Sequence, residues 1–265
     1  MIASFTTASG GFARNWLVAR GLNLSERRPL NWPEQIAHSR DPDTVREMFN
    51  RVAIRYDLAN HVLSGGCDFL WRRRAAEIVS KWNPPCILDV ATGSGDLALS
   101  LKNKLPASKV TGVDFSSDML AIAQRKGLRD TIMADALQLP FADQSFDAVT
   151  IAFGLRNMRD WTTALLEMRR VLTQSGHLLV LDFSLPQNSL VRAAYRFYLH
   201  YILPRVCAVL TRDKTAYQYL GASIENFPGN RALCDLIEAN GFVNTTVTPL
   251  TAGIVTLYTA EARAL

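Results

Sequence analysis

The chain has 265 residues, of which 48% are hydrophobic and 20% charged, and this describes one globular domain with additions and enough apolar material for a sizeable core. Of the net charge of +5, residues 1–40 carry +3, from Arg14, Arg20, Arg27, Arg28 and Arg40 against Glu26 and Glu34; the nearly neutral remainder argues against nucleic acid as the main partner. The four cysteines, at 67, 86, 207 and 234, form no CxxC pair, which argues against zinc and a disulfide framework and suits a reducing compartment, and no apolar run approaches the ~18 residues of a membrane span.

Residues 1–40 read as an N-terminal extension, either a disordered tail or an over-long start. The alternative is a transit peptide or weak surface-binding helix, because Phe12, Trp16 and Leu17 share a helical face beside Arg14 and Arg20. The main domain spans 41–265. Val45, Met48, Phe49, Val52 and Ala53 recur at helical spacing, so 44–60 is predicted helical. Ser64-Gly65-Gly66 breaks that helix, and a second follows over 69–82, stopped by Pro84-Pro85.

An alternating series comes next. Strands are predicted at 86–90, 109–114, 131–134, 146–152 and 177–183, with helices at 95–104, 117–126 and 160–172. Ser116 or Ser117 suits a helix cap, and Gly176 marks a turn into the fifth strand. Such alternation predicts a mostly parallel sheet with helices on both faces. Residues 190–210 are aromatic and aliphatic but interrupted by Arg192, Arg196, His200 and Arg205, which predicts an amphipathic helix kinked or ended near Pro204. The stretch 190–225 reads as a helical lid or substrate insertion. A helix ending at Gly241 then leads to strands 242–248 and 253–259, joined by a turn over 249–253, which form a terminal antiparallel hairpin.

The strongest signal is CILDVATGSGD at 86–96, with Asp114 nineteen residues after Gly95. A strand ending in a glycine turn, then an acid at the next strand end, makes a nucleoside pocket. Gly93-x-Gly95-x-x-Ala98 also satisfies the dinucleotide fingerprint, so a nicotinamide oxidoreductase is weighed. Three features count against it. Asp89 precedes the turn, where it repels pyrophosphate and suits a cationic amino or sulfonium group. The turn holds no Lys or Arg. Asp135-Ala136 follows the third strand, placed to receive an adenine, and P-F-x-x-x-x-F-D runs into the fourth.

This series resembles the class I S-adenosylmethionine-dependent methyltransferases over residues 86–183, and the resemblance implies their Rossmann-like, seven-stranded α/β fold. From about Asp43 onward the chain is similar to the ubiquinone/menaquinone C-methyltransferase family. The similarity rests on EMFNRVAIRYDLANHVLSGGCDFLW (47–71), IAFGLRNMRD (151–160), RRVLTQSGHLLVLDFS (169–184), YLGASIENFP (219–228) and PLTAGIVTLY (249–258). It implies S-adenosylmethionine as cofactor and C-methylation of a polyprenylated quinol in menaquinone or ubiquinone synthesis. Alternatives are another small aromatic or lipid acceptor, or a non-catalytic scaffold.

The expected cofactor-binding residues are Asp89, Gly93, Ser94, Gly95, Asp114, Asp135, Ala136 and Ala152, the last through its backbone because the family often has Ser there. The expected catalytic set is Arg156 on a phenolate oxygen, Asn157 on the other oxygen or a water, Tyr56 lining the acceptor pocket, and Asp57 fixing Arg156 or relaying a proton. His61 and Asp68 are weaker candidates for a base. No metal is needed. The chain departs from the family pattern at Ala59, Asp68, Thr173-Gln174-Ser175 and Asp182, where the family has Met, His, Lys-Pro-Gly and Glu. Because a prenyl tail is insoluble, the enzyme is expected to be cytoplasmic and peripheral to the membrane. Homo-oligomerisation is left open.

Overall fold

The computed structural model describes Ser64, residues 66–203, Arg205 and residues 214–263. The predicted extension, the helix over 44–60, and Tyr56, Asp57 and His61 lie outside the described residues.

Seven strands form one sheet in the order β3-β2-β1-β4-β5-β7-β6. They are β1 (Cys86–Val90), β2 (Lys109–Asp114), β3 (Thr131–Met133), β4 (Phe146–Ala152), β5 (Leu172–Phe183), β6 (Phe242–Leu250) and β7 (Val255–Ala262). The first five run parallel. Strand β7 inserts between β5 and β6, antiparallel to both. Strand order therefore reverses between β1 and β4, and the crevice beyond their carboxyl ends is where open α/β sheets take ligands.

Alternation along the central strands divides the core between two faces. Ile87, Ala148, Leu179 and Leu181 pack with helices α1 (Cys67–Trp82) and α2 (Asp96–Lys104). Leu88, Val149, Leu178 and Val180 pack with α4 (Trp161–Val171) and, near the C-terminus, α7 (Arg231–Ala239). Helix α3 (Ser117–Arg125) follows β2, and Ser116 caps it by accepting from the Met119 N–H at 3.2 Å. Period-two alternation buried on both sides is what a parallel sheet between helical layers requires.

The stretch expected to form a lid contains α5 (Ser189–Phe197), capped by Asn188, then a π-helical turn over Tyr198–Ile202 and α6 (Lys214–Asn226). The π turn interrupts the regular helix there, and Pro204, near which the helix was expected to kink or end, lies outside the described residues.

Expected boundaries move at the fifth strand and at the final turn. The fifth strand begins at Leu172, because Leu172 pairs with Phe146 before His177 pairs with Ala148. Residues 173–176 loop out between those pairs, so Gly176 lies inside β5. The final turn is Thr251–Gly253, and Pro249 stays in β6 opposite Thr256. A proline is tolerated there because β6 is the sheet edge.

The string 140–147 is a brace. Phe141 meets the face of Phe146 edge-on at 4.9 Å, and Asp147 accepts from the Cys86 N–H at 3.0 Å, tying β4 to the start of β1. Arg170 donates to the carbonyls of Leu139 and Phe141 and pairs with Glu167. These bonds fix the loop that follows Asp135-Ala136.

Beyond β4 the backbone turns sharply against the end of β1. A Cβ on Gly154 would lie 2.6 Å from the Ala91 Cβ. Gly154 has an ordinary φ of −106°, so contact alone demands glycine. Gly154→Ala is expected to lower unfolding free energy by about 1–3 kcal/mol in urea titrations. Adding Ala91→Gly should recover more than Ala91→Gly gives alone; strictly additive effects would place the strain elsewhere.

Candidate active site

The glycine turn is built by left-handed backbone and buried carboxylates. Ala91, Gly93 and Gly95 have φ of 50°, 55° and 83°. A Cβ at Gly95 would meet the Ala123 Cβ at 2.9 Å, so α3 packs directly on the turn. At Gly93 the same position faces open space, leaving room for a ligand against the backbone. Asp114 accepts the Gly93 N–H at 2.8 Å and the Ser116 N–H at 2.9 Å. A carboxylate has about four acceptor directions, so these bonds leave capacity for a ligand hydroxyl. Burial raises the Asp114 carboxyl above its ordinary range, against the backbone N–H groups that hold it charged.

Asp89 lies beneath the turn, 1% exposed, and accepts from the hydroxyls of Thr92 and Thr150, each at 2.7 Å. Burial pushes its carboxyl up to about 6, although both hydroxyls oppose the shift. Its oxygens are engaged by threonine, so its structural effect is to anchor Thr92 in the turn. Ser94 is buried, and Ala136 and Ala152 are half-buried. Asp135 is exposed just beyond β3, where one of its oxygens accepts from the Leu137 N–H at 2.9 Å.

Asp96, which carried no expected role, opens α2 immediately after Gly95. It pairs with Lys126 at 2.7 Å and lies 3.6 Å from Arg72. A helix N-terminus that attracts phosphate is here supplied with the protein's own carboxylate. Asp89, Asp96 and Asp114 together disfavour a pyrophosphate. Open backbone at Gly93 beside a buried acid fits a nucleoside with a cationic substituent, as S-adenosylmethionine has.

Beside this half lies a cavity of about 340 Å³. Its floor is aromatic. The rings of Phe153 and Phe183 are 4.9 Å apart, and Trp71 is 6.1 Å from each. Phe153 is a non-glycine residue at φ 58°, held there by its N–H on the Leu181 carbonyl at 2.7 Å. Backbone strain of this kind collects at functional sites. Val191, Ala194, Tyr195 and Leu199 line the lid side.

The polar wall comes from α1. Asp68 is 2% exposed, accepts from the Ser64 hydroxyl at 2.7 Å and forms an ion pair with Arg72 one helical turn on. The Arg72 guanidinium lies over the Phe153 ring at 5.7 Å. Through Asp68 and Asp96, Arg72 therefore joins the cavity to the glycine turn.

Arg156 and Asn157 sit on the turn Leu155–Asn157 behind the aromatic floor. Arg156 is 3% exposed and donates to Asp182 at 2.7 Å and to the Phe153 carbonyl at 2.5 Å. Asn157 donates to the same carbonyl at 3.2 Å. The Arg156 guanidinium lies 5.1 Å from the Phe183 ring centroid. Neither residue is among the cavity-lining residues described. The structure thus brings Asp89 and Asp114 from β1 and β2 to the turn that holds Gly93, and Arg156 and Asn157 to the Phe153 carbonyl. Sequence reasoning missed Arg72, Asp96 and Tyr195. Only Arg72 carried a local sign, its i,i+4 spacing from Asp68.

Residues 36–261 match the model of the ubiE/COQ5 methyltransferase family. The chain is 48% identical over 200 residues to the demethylmenaquinone methyltransferase of Thermus thermophilus, covering 74% of this chain and 91% of that one. It is 40% identical over 227 residues to the ubiquinone/menaquinone biosynthesis C-methyltransferase of Geotalea daltonii, covering 83% and 96%. A solved S-adenosylmethionine-dependent methyltransferase of Thermotoga maritima superposes with a TM-score of 0.60 at 20% identity, covering 82% of this chain and 99% of that one. At that identity the likeness speaks to fold alone.

Asp89 makes stability depend on pH. Its folded-state value of about 6 exceeds the ordinary value of about 4, so the fold favours the protonated acid. That contribution is fully present below pH 4 and lost as pH rises through 6. Wild type is expected to lose up to about 3 kcal/mol relative to Asp89→Asn between pH 4 and 6. Urea midpoints at four pH values measure this, and parallel curves would remove Asp89 as the titrating group.

Proposed function

Because this chain belongs to the ubiE/COQ5 methyltransferase family it is an S-adenosylmethionine-dependent methyltransferase, and we propose that its acceptor is a ring carbon of a polyprenylated quinol in menaquinone or ubiquinone synthesis. The observation that carries this reading is the apolar cavity with an aromatic floor, joined to the glycine turn through Arg72. Its volume is in the range of small-molecule sites, and flat rings stack or meet edge-on with Trp71, Phe153 and Phe183. The names of the Thermus and Geotalea relatives support the same acceptor class.

S-adenosylmethionine supplies an electrophilic methyl group. The chain's part is to hold and expose the two reactants. Asp114 takes the ribose hydroxyls, Asp135 and Ala136 the adenine, and the backbone of Gly93-Ser94-Gly95 the remainder, with Asp89 and Ala152 supporting the turn and strand end. The apolar cavity excludes water, which strengthens every polar contact inside it. A quinol becomes nucleophilic at carbon when its hydroxyl is deprotonated. Arg72 faces that oxygen and stabilises the phenolate, and Asp68 stands beside it to accept the proton. Arg156 and Asn157 act one layer back, by fixing the Phe153 carbonyl and hence the ring above it. Tyr56 and Asp57 complete the acceptor side in this reading.

The lid suits delivery from a bilayer surface. No helix among the described residues is long and apolar enough to cross a membrane. On α5 and the π turn, however, Leu190, Phe197, Tyr201 and Ile202 are exposed beside Arg192 and Arg196. Apolar side chains flanked by cations bind anionic lipid interfaces. A cytoplasmic, peripheral enzyme collects a prenylated acceptor in this way.

Mass spectrometry of quinones in a deletion strain tests the acceptor. Accumulation of a demethyl-naphthoquinone or a demethyl-benzoquinone is expected and tells the two rings apart. An unchanged quinone pool would sink the reading. For the surface contact, the double substitution Leu190→Glu and Phe197→Glu is expected to cut co-sedimentation with phosphatidylglycerol vesicles at least tenfold; equal binding by both proteins would move the contact elsewhere.

A further inference from the structure

Among the described residues, Tyr195 brings to the cavity a hydroxyl that no hydrogen bond engages. Tyr195 comes from α5, just before the π turn, and its ring stacks on Tyr198 with centroids 6.3 Å apart. It is 8% exposed and lines the cavity. Its hydroxyl has no hydrogen-bond partner among the described residues. The opposite wall differs. There Asp68 is bound to Ser64 and Arg72, and the Trp71 indole N–H is bound to the Thr251 hydroxyl at 2.8 Å. The hydroxyl oxygen is not among the fully buried unpaired polar atoms of the described residues, so it keeps access to solvent or to a ligand and is free to donate.

Burial raises the Tyr195 hydroxyl above the ordinary tyrosine range, against the nearby charge of Arg156. The group is therefore neutral and a donor throughout physiological pH.

We propose that the Tyr195 hydroxyl donates a hydrogen bond to a ring oxygen of the aromatic acceptor, so that the lid orients the ring and favours its deprotonated form. This rests on the reading of the cavity as the acceptor site. The bond transfers no proton. It is stronger to a phenolate oxygen than to a neutral hydroxyl, because charge-assisted hydrogen bonds are about twice as strong as neutral ones. A donor on α5 also places ring recognition on the helix whose exposed side chains are proposed above to meet the lipid surface.

The test uses the full-length protein and Tyr195→Phe, which keeps the ring and its stacking. A thermal midpoint equal to wild type confirms that the fold is intact. Anaerobic calorimetry compares 1,4-dihydroxynaphthalene with naphthalene as probes. Wild type is expected to prefer the diol by at least tenfold, and Tyr195→Phe to lose about tenfold of that preference. In turnover with a demethylnaphthoquinol, the acidic limb of the pH–rate profile should move up by about one unit in the variant. An unchanged preference in Tyr195→Phe, or no preference in wild type, overturns the inference. If wild type shows the preference but fails to methylate the quinol, the hydroxyl site stands and the quinol reading falls.

Discussion

The buried ion pair between Arg156 and Asp182 is the constraint on which the aromatic floor of the cavity depends. Its side chains are 4% and 0% exposed, so both charges have left water. Such a pair gains little net stability over apolar residues of similar size. What it contributes here is geometry. The Asp182 carboxylate takes the Arg156 side chain, the Arg156 N–H and the Phe183 N–H, while Arg156 takes the Phe153 carbonyl. The ends of β4 and β5 are thereby locked side by side. The two phenylalanine rings form a floor because their backbones cannot rotate away, and the left-handed strain at Phe153 persists because these bonds over-determine it.

Charge balance links the two halves of the site. Around the turn stand three carboxylates, of which Asp89 is held by hydroxyls, Asp114 by backbone N–H groups and Asp96 by cations. A cationic ligand lowers the cost of keeping the first two ionised, so binding and ionisation support each other. Arg72 meets this field from the acceptor side, but its charge is divided between Asp68 and Asp96. A lone guanidinium in that place would repel a sulfonium. A paired one leaves the methyl donor undisturbed and still offers N–H groups to an oxygen.

Strands β1, β2 and β4 were legible to the residue, because apolar alternation bounded by turn residues is a local property. The start of β5 was not, since Leu172 becomes strand only by pairing with Phe146 across a looped-out Thr-Gln-Ser-Gly segment. The glycine turn and Asp114 were legible from spacing. The engagement of Asp89 by Thr92 and Thr150 was not, because Thr150 lies on another strand. Arg156 was expected to face the acceptor; its engagement by Asp182 and the Phe153 carbonyl was not legible, because Asp182 lies on another strand. Tyr195 looked like one more aromatic in an amphipathic stretch. Its distinction lies in what surrounds its hydroxyl, and no sequence period records that.

The insertion of β7 between β5 and β6 bears on the order in which the protein comes into being. Strand β6 is synthesised before β7 yet touches the sheet only through it. On a ribosome, residues 86–152 can assemble β1, β2, β3 and β4 with the complete glycine turn, while β6 waits without a neighbour. Thr251 and Ile254, which close the cavity beside Trp71, arrive with that last pairing. Chain order thus allows the glycine turn to form before Thr251 and Ile254 can complete the cavity. Meanwhile β5 presents an open edge to other chains.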